Sequence, residues 1–214
     1  MLKYRNEMRT WQKKFDASAP RVGDIAPDFI LSDTTGENFI RLSDFKDKKP
    51  VGLIFGSFTW PPFVKGTVSL YDLFERYHDA VQFLMIYIRE AHPVDGWWVG
   101  KGLFGLMLKL SRSKAAMDIY DPKTIEERRE VAGQCEKALQ YGIRTYVDDM
   151  DDTVNKAYSA LPTRLYLIGK DGIVDYAGKL GPFGFKPTAF GAAIEAYLLR
   201  EGVHPWKQTP VFES

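Results

Sequence analysis

Two continuous apolar runs with a helical pattern between them constrain this chain more than any other feature. Val51 to Ser57 and Val81 to Ile88 read as strands of the kind buried on both faces, because neither alternates polar with apolar residues. Between them Val64, Val68, Tyr71 and Phe74 recur at spacings of three and four, which predicts a helix over residues 61 to 78. Strand, helix, strand with these lengths is a βαβ unit, so the two strands should run parallel with a right-handed crossover. Pro61 and Pro62 suit the first helical turn, where a backbone N–H has no partner anyway. The segment Phe55 to Phe63 therefore lies at a strand-to-helix turn, beside the positive end of a helix dipole. A cysteine there would have its thiolate stabilised and become a nucleophile. This chain has Trp60 at that place, which cannot do such chemistry.

The remaining elements follow from periodicity and turn residues. Residues 1 to 20 read as a short helical extension ending near Ala19-Pro20. Short strands are predicted at Asp28 to Leu31 and Asn38 to Leu42, turned by Thr34-Thr35-Gly36. The stretch from about 97 to 121 is too long for an ordinary connection and reads as an insert. A helix capped by Asp121 is expected to run to about Tyr141, then a brief strand at Arg144 to Val147. Asp151 should cap a further helix ending near Leu161-Pro162. A hairpin, Arg164 to Ile168 and Ile173 to Tyr176, turns at Lys170-Asp171-Gly172, and a helix closes the pattern over residues 187 to 200. The order predicts an α/β protein with a mixed central sheet flanked by helices. It is the order of a thioredoxin-like fold with an N-terminal extension at 1–20, one domain over 21–214, and a mid-chain insertion.

Composition removes several function classes. Net charge is +1, so nothing points to nucleic acid or an acidic membrane surface. No apolar stretch reaches spanning length, and the charged start of the chain does not read as a signal peptide. One cysteine, Cys135, leaves no internal disulfide, no CxxC redox pair and no cysteine-rich metal site. His78, His92 and His204 show no ligand spacing, so no metal and no cofactor is expected. The default setting is cytoplasmic and reducing. Cys135 follows Val131 and precedes Leu139 at four-residue spacing, which reads as a buried small hydrophobe on a helix face.

Several stretches in order carry a family likeness. Arg21 to Phe45 resembles the opening of peroxiredoxin and alkyl hydroperoxide reductase domains. Gly56 to Phe63, Ile86 to Trp97, Val147 to Ile168 and Gly181 to Phe185 together resemble the iodothyronine deiodinases and their bacterial relatives more closely. The resemblance covers about residues 20 to 200. It implies reductive removal of iodine from an aromatic ring by a selenolate or thiolate, with a thiol as reductant and a homodimer as the assembly. Residue by residue, it implies that Trp60 replaces the selenocysteine nucleophile and Phe58 a nearby cysteine. Ser57 and Thr59 offer hydroxyls beside the nucleophile position. Glu90 and His92 match an acid and an imidazole assigned to proton delivery. Arg164 matches a substrate-clamping arginine, and Pro162 lies where the fold places a cis-proline facing the reactive turn.

For Trp60 three readings stand: a packing residue in a scaffold that has lost its chemistry, a selenocysteine codon read as tryptophan, or a stacking surface for an aromatic ligand. A thiol peroxidase using Cys135 is a further alternative. Glu90 has a solvated strand-end charge as its plain reading, but its nearness to His92 favours the site; taken without the family, Arg164 reads as a surface charge and His92 as a structural or solvated loop residue. The apolar segment Trp97 to Leu108 reads as a packed helix, with a lid, a dimer contact and a membrane-surface contact as alternatives.

Overall fold

In the computed structural model, residue 10 and residues 12–96 and 118–203 of the 214 are described. The apolar segment Trp97 to Leu108 and His204 lie outside the described residues, as do residues 1 to 9 of the extension. Residues 12 to 16 of that extension are helical.

The strands are β1 (Ile30–Asp33), β2 (Phe39–Arg41), β3 (Val51–Gly56), β4 (Gln82–Tyr87), β5 (Thr145–Val147), β6 (Arg164–Ile168) and β7 (Val174–Ala177). The helices are α1 (Pro61–Tyr77), α2 (Ile125–Leu139), α3 (Thr153–Tyr158) and α4 (Pro187–Arg200), with a 3-10 turn at Leu42–Phe45. Among the described residues the strands form one mixed sheet in the order β2-β1-β5-β4-β3-β6-β7. β3 and β4 are parallel, as their continuous apolar character predicts, and β6 runs antiparallel on the other side of β3. Leu53, Ile54, Phe55, Leu84, Met85 and Ile86 are wholly buried in these central strands.

Helices cover both faces of the sheet. Gly52 and Gly56 point to one face, where the place of a Gly52 Cβ meets the Phe190 ring of α4 and that of Gly56 meets the Phe63 ring of α1. Phe55 points to the other face, against Tyr158 of α3 at 5.3 Å between ring centroids. Tyr158 also packs edge-on against Tyr166 of β6. The site turn thus hangs from the C-terminal end of a strand clamped from above and below.

Three local expectations are corrected. Asp121 does not cap α2. Thr124 does, its hydroxyl accepting from the Glu127 N–H, while the Glu127 carboxylate accepts from the Lys123 N–H. Asp121 is occupied instead by Arg89 and Lys123. Asp151 does not cap α3, and that helix ends at Tyr158 rather than near Pro162. Its first N–H groups, of Val154 and Asn155, are taken by the carboxylate of Asp148 at the end of β5. Burial pushes that carboxyl up to about 6. The face of α1 is also shifted: Val68 is 70% exposed and Tyr71 41%, while Phe63, Thr67 and Leu70 point inward. Thr67 turns inward because its hydroxyl bonds back to the Val64 carbonyl, which leaves its methyl to pack.

The β1–β2 turn depends on Asp33, which is 6% exposed. Its carboxylate accepts from the Thr35 and Gly36 N–H groups, the Thr35 hydroxyl and the Asn38 amide. Burial pushes the carboxyl up, but the hydrogen bonds from Thr35 and Asn38 outweigh it and hold it at about 2. An acid whose folded value is depressed contributes stability above its ordinary range, near pH 4, that is lost as pH falls toward 2. Asp33→Ala should therefore cost about 2 kcal/mol at neutral pH. The deficit relative to wild type should shrink below pH 4, as read from urea midpoints across that range. A deficit independent of pH would show that packing, not charge, holds this turn.

Candidate active site

Trp60 stands at the N-cap position of α1, with Pro61 and Pro62 forming the first turn behind it. Its N–H bonds to the Ser57 carbonyl at 3.3 Å, and its own carbonyl accepts from Val64 at 3.1 Å. The indole is 8% exposed. It lies tilted on the His92 imidazole, 5.1 Å between centroids. The Leu161-Pro162 peptide is cis. Gly181 completes the rim: its missing Cβ would come within 3.7 Å of the Trp60 Nε1 atom.

Glu90 ties the turn to the loop after β4. It is 2% exposed, so it is not a solvated strand-end charge. One carboxylate oxygen accepts from the Thr59 N–H at 3.0 Å and the Thr59 hydroxyl at 2.6 Å. The other accepts from the Tyr87 hydroxyl, which in turn receives the Phe58 N–H at 3.1 Å. The Thr59 hydroxyl oxygen accepts the His92 backbone N–H at 3.0 Å. Burial pushes the Glu90 carboxyl up, against the pull of its bonds from Thr59 and Tyr87. Burial, then the neighbouring Glu90 charge, pushes the Tyr87 hydroxyl well up. Trp60, Thr59, Glu90 and His92 are thus one connected group. Ser57 sits beside it, wholly buried, with a hydroxyl that has no partner among the described residues.

The other candidates are placed differently. Phe58 is a buried apolar wall, held through its backbone. Arg164 is 8% exposed, not a surface charge. Its guanidinium donates to the Gly178 carbonyl (2.7 Å), the Ser159 carbonyl (3.2 Å) and the Asp16 carboxylate (2.8 Å). It is joined to the Trp60–Glu90–His92 group through the chain: Thr163, between Pro162 and Arg164, bonds to the Phe55 carbonyl and accepts from Gly181. Cys135 is wholly buried on α2, and burial, then the Glu90 charge, pushes its thiol well up. A thiol so placed lacks the exposure and low pKa that peroxide chemistry needs.

Sequence reasoning does not single out Tyr87, Gly181 or Asp16 as site residues. Tyr87 lies inside an apolar strand and reads as core. Asp16 lies in a charged extension where nothing marks one carboxylate from the next. Gly181 opens the segment Gly181 to Phe185 that carries part of the family likeness, and only the fold shows that its bare Cα faces the indole.

Among the described residues, no cluster of acids, histidines or cysteines suits a metal, and no helix is long and apolar enough to cross a membrane. The Iodothyronine deiodinase family model matches residues 4–198. The thyroxine 5-deiodinase of Gallus gallus is 33% identical over 187 residues, covering 84% of this chain and 64% of that protein. The thyroxine 5-deiodinase of Aquarana catesbeiana is 35% identical over 180 residues, covering 84% of this chain and 61% of its own length. The chain thus spans less than two thirds of the length of these relatives. Among solved structures, the thioredoxin domain of a thiol-disulfide oxidoreductase from Bacteroides vulgatus superposes with a TM-score of 0.55 at 15% identity, over 84% of this chain and 99% of that one. That likeness shows a thioredoxin-like fold. With the match of the family model over almost the whole chain, it follows that this protein belongs to the iodothyronine deiodinase family.

Proposed function

We propose that this protein is a deiodinase-like oxidoreductase homologue whose acid and imidazole are in place and whose nucleophile is missing. As written it is inactive in thiol-dependent reductive deiodination. The observation that carries this reading is the Trp60 indole, buried at the nucleophile position and packed tilted against His92. In the family reaction a selenolate or thiolate attacks iodine, the carbon–iodine electron pair stays with the ring carbon, and a proton is delivered there. The resulting sulfenyl or selenenyl iodide is then reduced by thiol, releasing iodide. Glu90 and His92 would move the proton and orient the turn. An indole supplies no lone pair for the attack, and the hydroxyls of Ser57 and Thr59 are weak, unpolarisable nucleophiles toward iodine. Phe58, Pro162 and Arg164 would line the ligand side. The family reaction brings an iodinated aromatic as substrate and a thiol as reductant. A cytoplasmic setting and a homodimer belong to the same proposal, the first favoured by a single buried cysteine that needs no oxidising compartment.

The test is a deiodination assay with an iodinated phenol and a dithiol, on protein verified by mass to carry Trp60, beside Trp60→Cys. No iodide release from the first and measurable release from the second is the expected pair. Turnover by the tryptophan form would sink the proposal. Codon 60 of the native gene decides between a genuine tryptophan (UGG) and a selenocysteine misread (UGA beside an insertion element).

One observation favours a second reading, a non-catalytic module for an aromatic ligand. Among the described residues the buried Trp60 Nε1–H has no acceptor and the Ser57 hydroxyl no partner. A phenolate oxygen is an acceptor of the kind the indole N–H lacks. Calorimetry with iodinated phenols should give a binding heat with the wild type that Trp60→Phe loses; no heat and no thermal shift would end this reading.

A further inference from the structure

A contact that the proposed function leaves unexplained joins the segment carrying Asp16 to the sheet. The Arg164 side chain is 9% exposed and its partner Asp16 is 50% exposed. The two other acceptors on Arg164, the carbonyls of Gly178 and Ser159, fix the plane of the guanidinium without neutralising it. Asp16 is thus its one charged partner among the described residues. A nearly buried cation needs a counter-charge far more than an exposed carboxylate does. The segment carrying Asp16 has a second, longer tie, from the Gln12 amide to the carbonyl of Leu161 (3.4 Å), just before the cis-proline. A cleft of about 340 Å³ lined by Gln12, Lys13, Asp16 and Leu180 opens beside the pair. Only Thr163 separates Arg164 from Pro162, and its carbonyl accepts the N–H of Gly181, which lies against Trp60.

We propose that Asp16 is a built-in occupant of Arg164, so that the N-terminal extension competes with the carboxylate of an anionic aromatic ligand for that guanidinium. The proposal rests on the reading of Arg164 as a ligand-facing residue. With no ligand the extension is docked and Arg164 is neutralised from within. A ligand bearing a carboxylate takes over the guanidinium and releases Asp16 to water, where half of it already stands. A neutral phenol has no such exchange to make and leaves the extension docked. The extension therefore sets a threshold against anionic ligands and none against neutral ones.

Chemical rescue tests this on the full chain. Asp16→Asn leaves Arg164 without a counter-charge, and its Tm should fall by several degrees. Sodium acetate should restore that loss in a saturable way, while sodium chloride at equal ionic strength should not. The wild type, whose Arg164 is already paired with Asp16, should gain less Tm from acetate than Asp16→Asn does. Equal responses of Asp16→Asn to acetate and chloride, or an unchanged Tm, would overturn the proposal. If the variant does not fold, trypsin cleavage after the exposed Lys13 and Lys14 of the wild type decides. Cleavage accelerated by acetate over chloride supports displacement of Asp16, and cleavage indifferent to the anion overturns it. Calorimetry with 4-hydroxy-3-iodobenzoate and 2-iodophenol separates the two ideas. Tighter binding of the benzoate alone to Asp16→Asn is expected. If neither compound binds either protein the aromatic reading fails, and the acetate titration still decides the role of Asp16.

Discussion

Gly56→Ala should lower stability by about 3 kcal/mol and deplete the soluble protein, although it adds a single methyl group. A Cβ at Gly56 would lie 2.4 Å from Cδ2 of Phe63 and 2.6 Å from Cε2 and Cγ. The obstacle is a ring face, not the end of a flexible chain. Phe63 is wholly buried in the first turns of α1. Its ring is boxed by Tyr141 and Phe185, each 6.5 Å away between centroids. Phe185 in turn covers Gly66, whose Cβ would meet it at 2.4 Å. Relief must therefore come from the end of β3, the strand end that carries Ser57 to Trp60. The defect should spread into the site: tryptophan fluorescence should shift even in the fraction that stays folded. Adding Phe63→Leu should restore part of the loss, because a smaller side chain makes room for the methyl. A urea midpoint within about 0.5 kcal/mol of wild type would show that the Phe63 ring yields freely.

The same contact shows why some of this fold is legible in the sequence and some is not. β3 and β4 are readable because a strand covered on both faces has no polar alternation to blur its limits. The hairpin of β6 and β7 and the bounds of α4 are marked by local chemistry, Asp171-Gly172 and Pro187. The inward face of α1 is misassigned because Val68 and Tyr71 fit the helical period as well as Phe63 and Leu70 do. What decides between those stripes is the position of Phe185 and α4, both distant in sequence. The caps of α2 and α3 are misassigned for a related reason. Asp121 and Asp151 are good capping residues, but Asp121 is drawn to Arg89, and Asp148 reaches α3 from the end of a strand.

At the site, the turn itself can be placed from the βαβ pattern, and the acid and imidazole from the resemblance. Burial cannot. The sequence leaves a solvent-charge reading open for Glu90 and favours one for Arg164, until Thr59, Tyr87 and Asp16 are brought to them from 31, 3 and 148 residues away. A long-range partner leaves no trace in local composition, and both of these residues owe their state to one.

Glu90 is the position where loss of such partners should be felt most. Glu90→Ala should cost about 4 kcal/mol, because it strands the Thr59 N–H, the Thr59 hydroxyl and the Tyr87 hydroxyl, all of them buried. Glu90→Gln keeps the volume and an acceptor for Thr59, and should cost about 1 kcal/mol at pH 5. The two differ further in pH dependence. Burial raises the Glu90 carboxyl above the usual glutamate range in the folded state. The folded protein therefore holds this proton more tightly than the unfolded chain. The resulting stabilisation is complete below about pH 4 and is lost as pH rises through the folded value. Glutamine carries no proton to lose, so the cost of Glu90→Gln should shrink from pH 5 to pH 8 and can change sign. Urea midpoints of wild type and Glu90→Gln at both pH values read this directly. Parallel pH profiles would mean that the hydrogen bonds from Thr59 and Tyr87, not burial, set the charge of Glu90. Under the proposed function, the same proton is the one that Glu90 would deliver in the Trp60→Cys protein. Adding Glu90→Gln there should remove most of the recovered iodide release, while the introduced thiol still reacts with iodoacetamide at an unchanged rate.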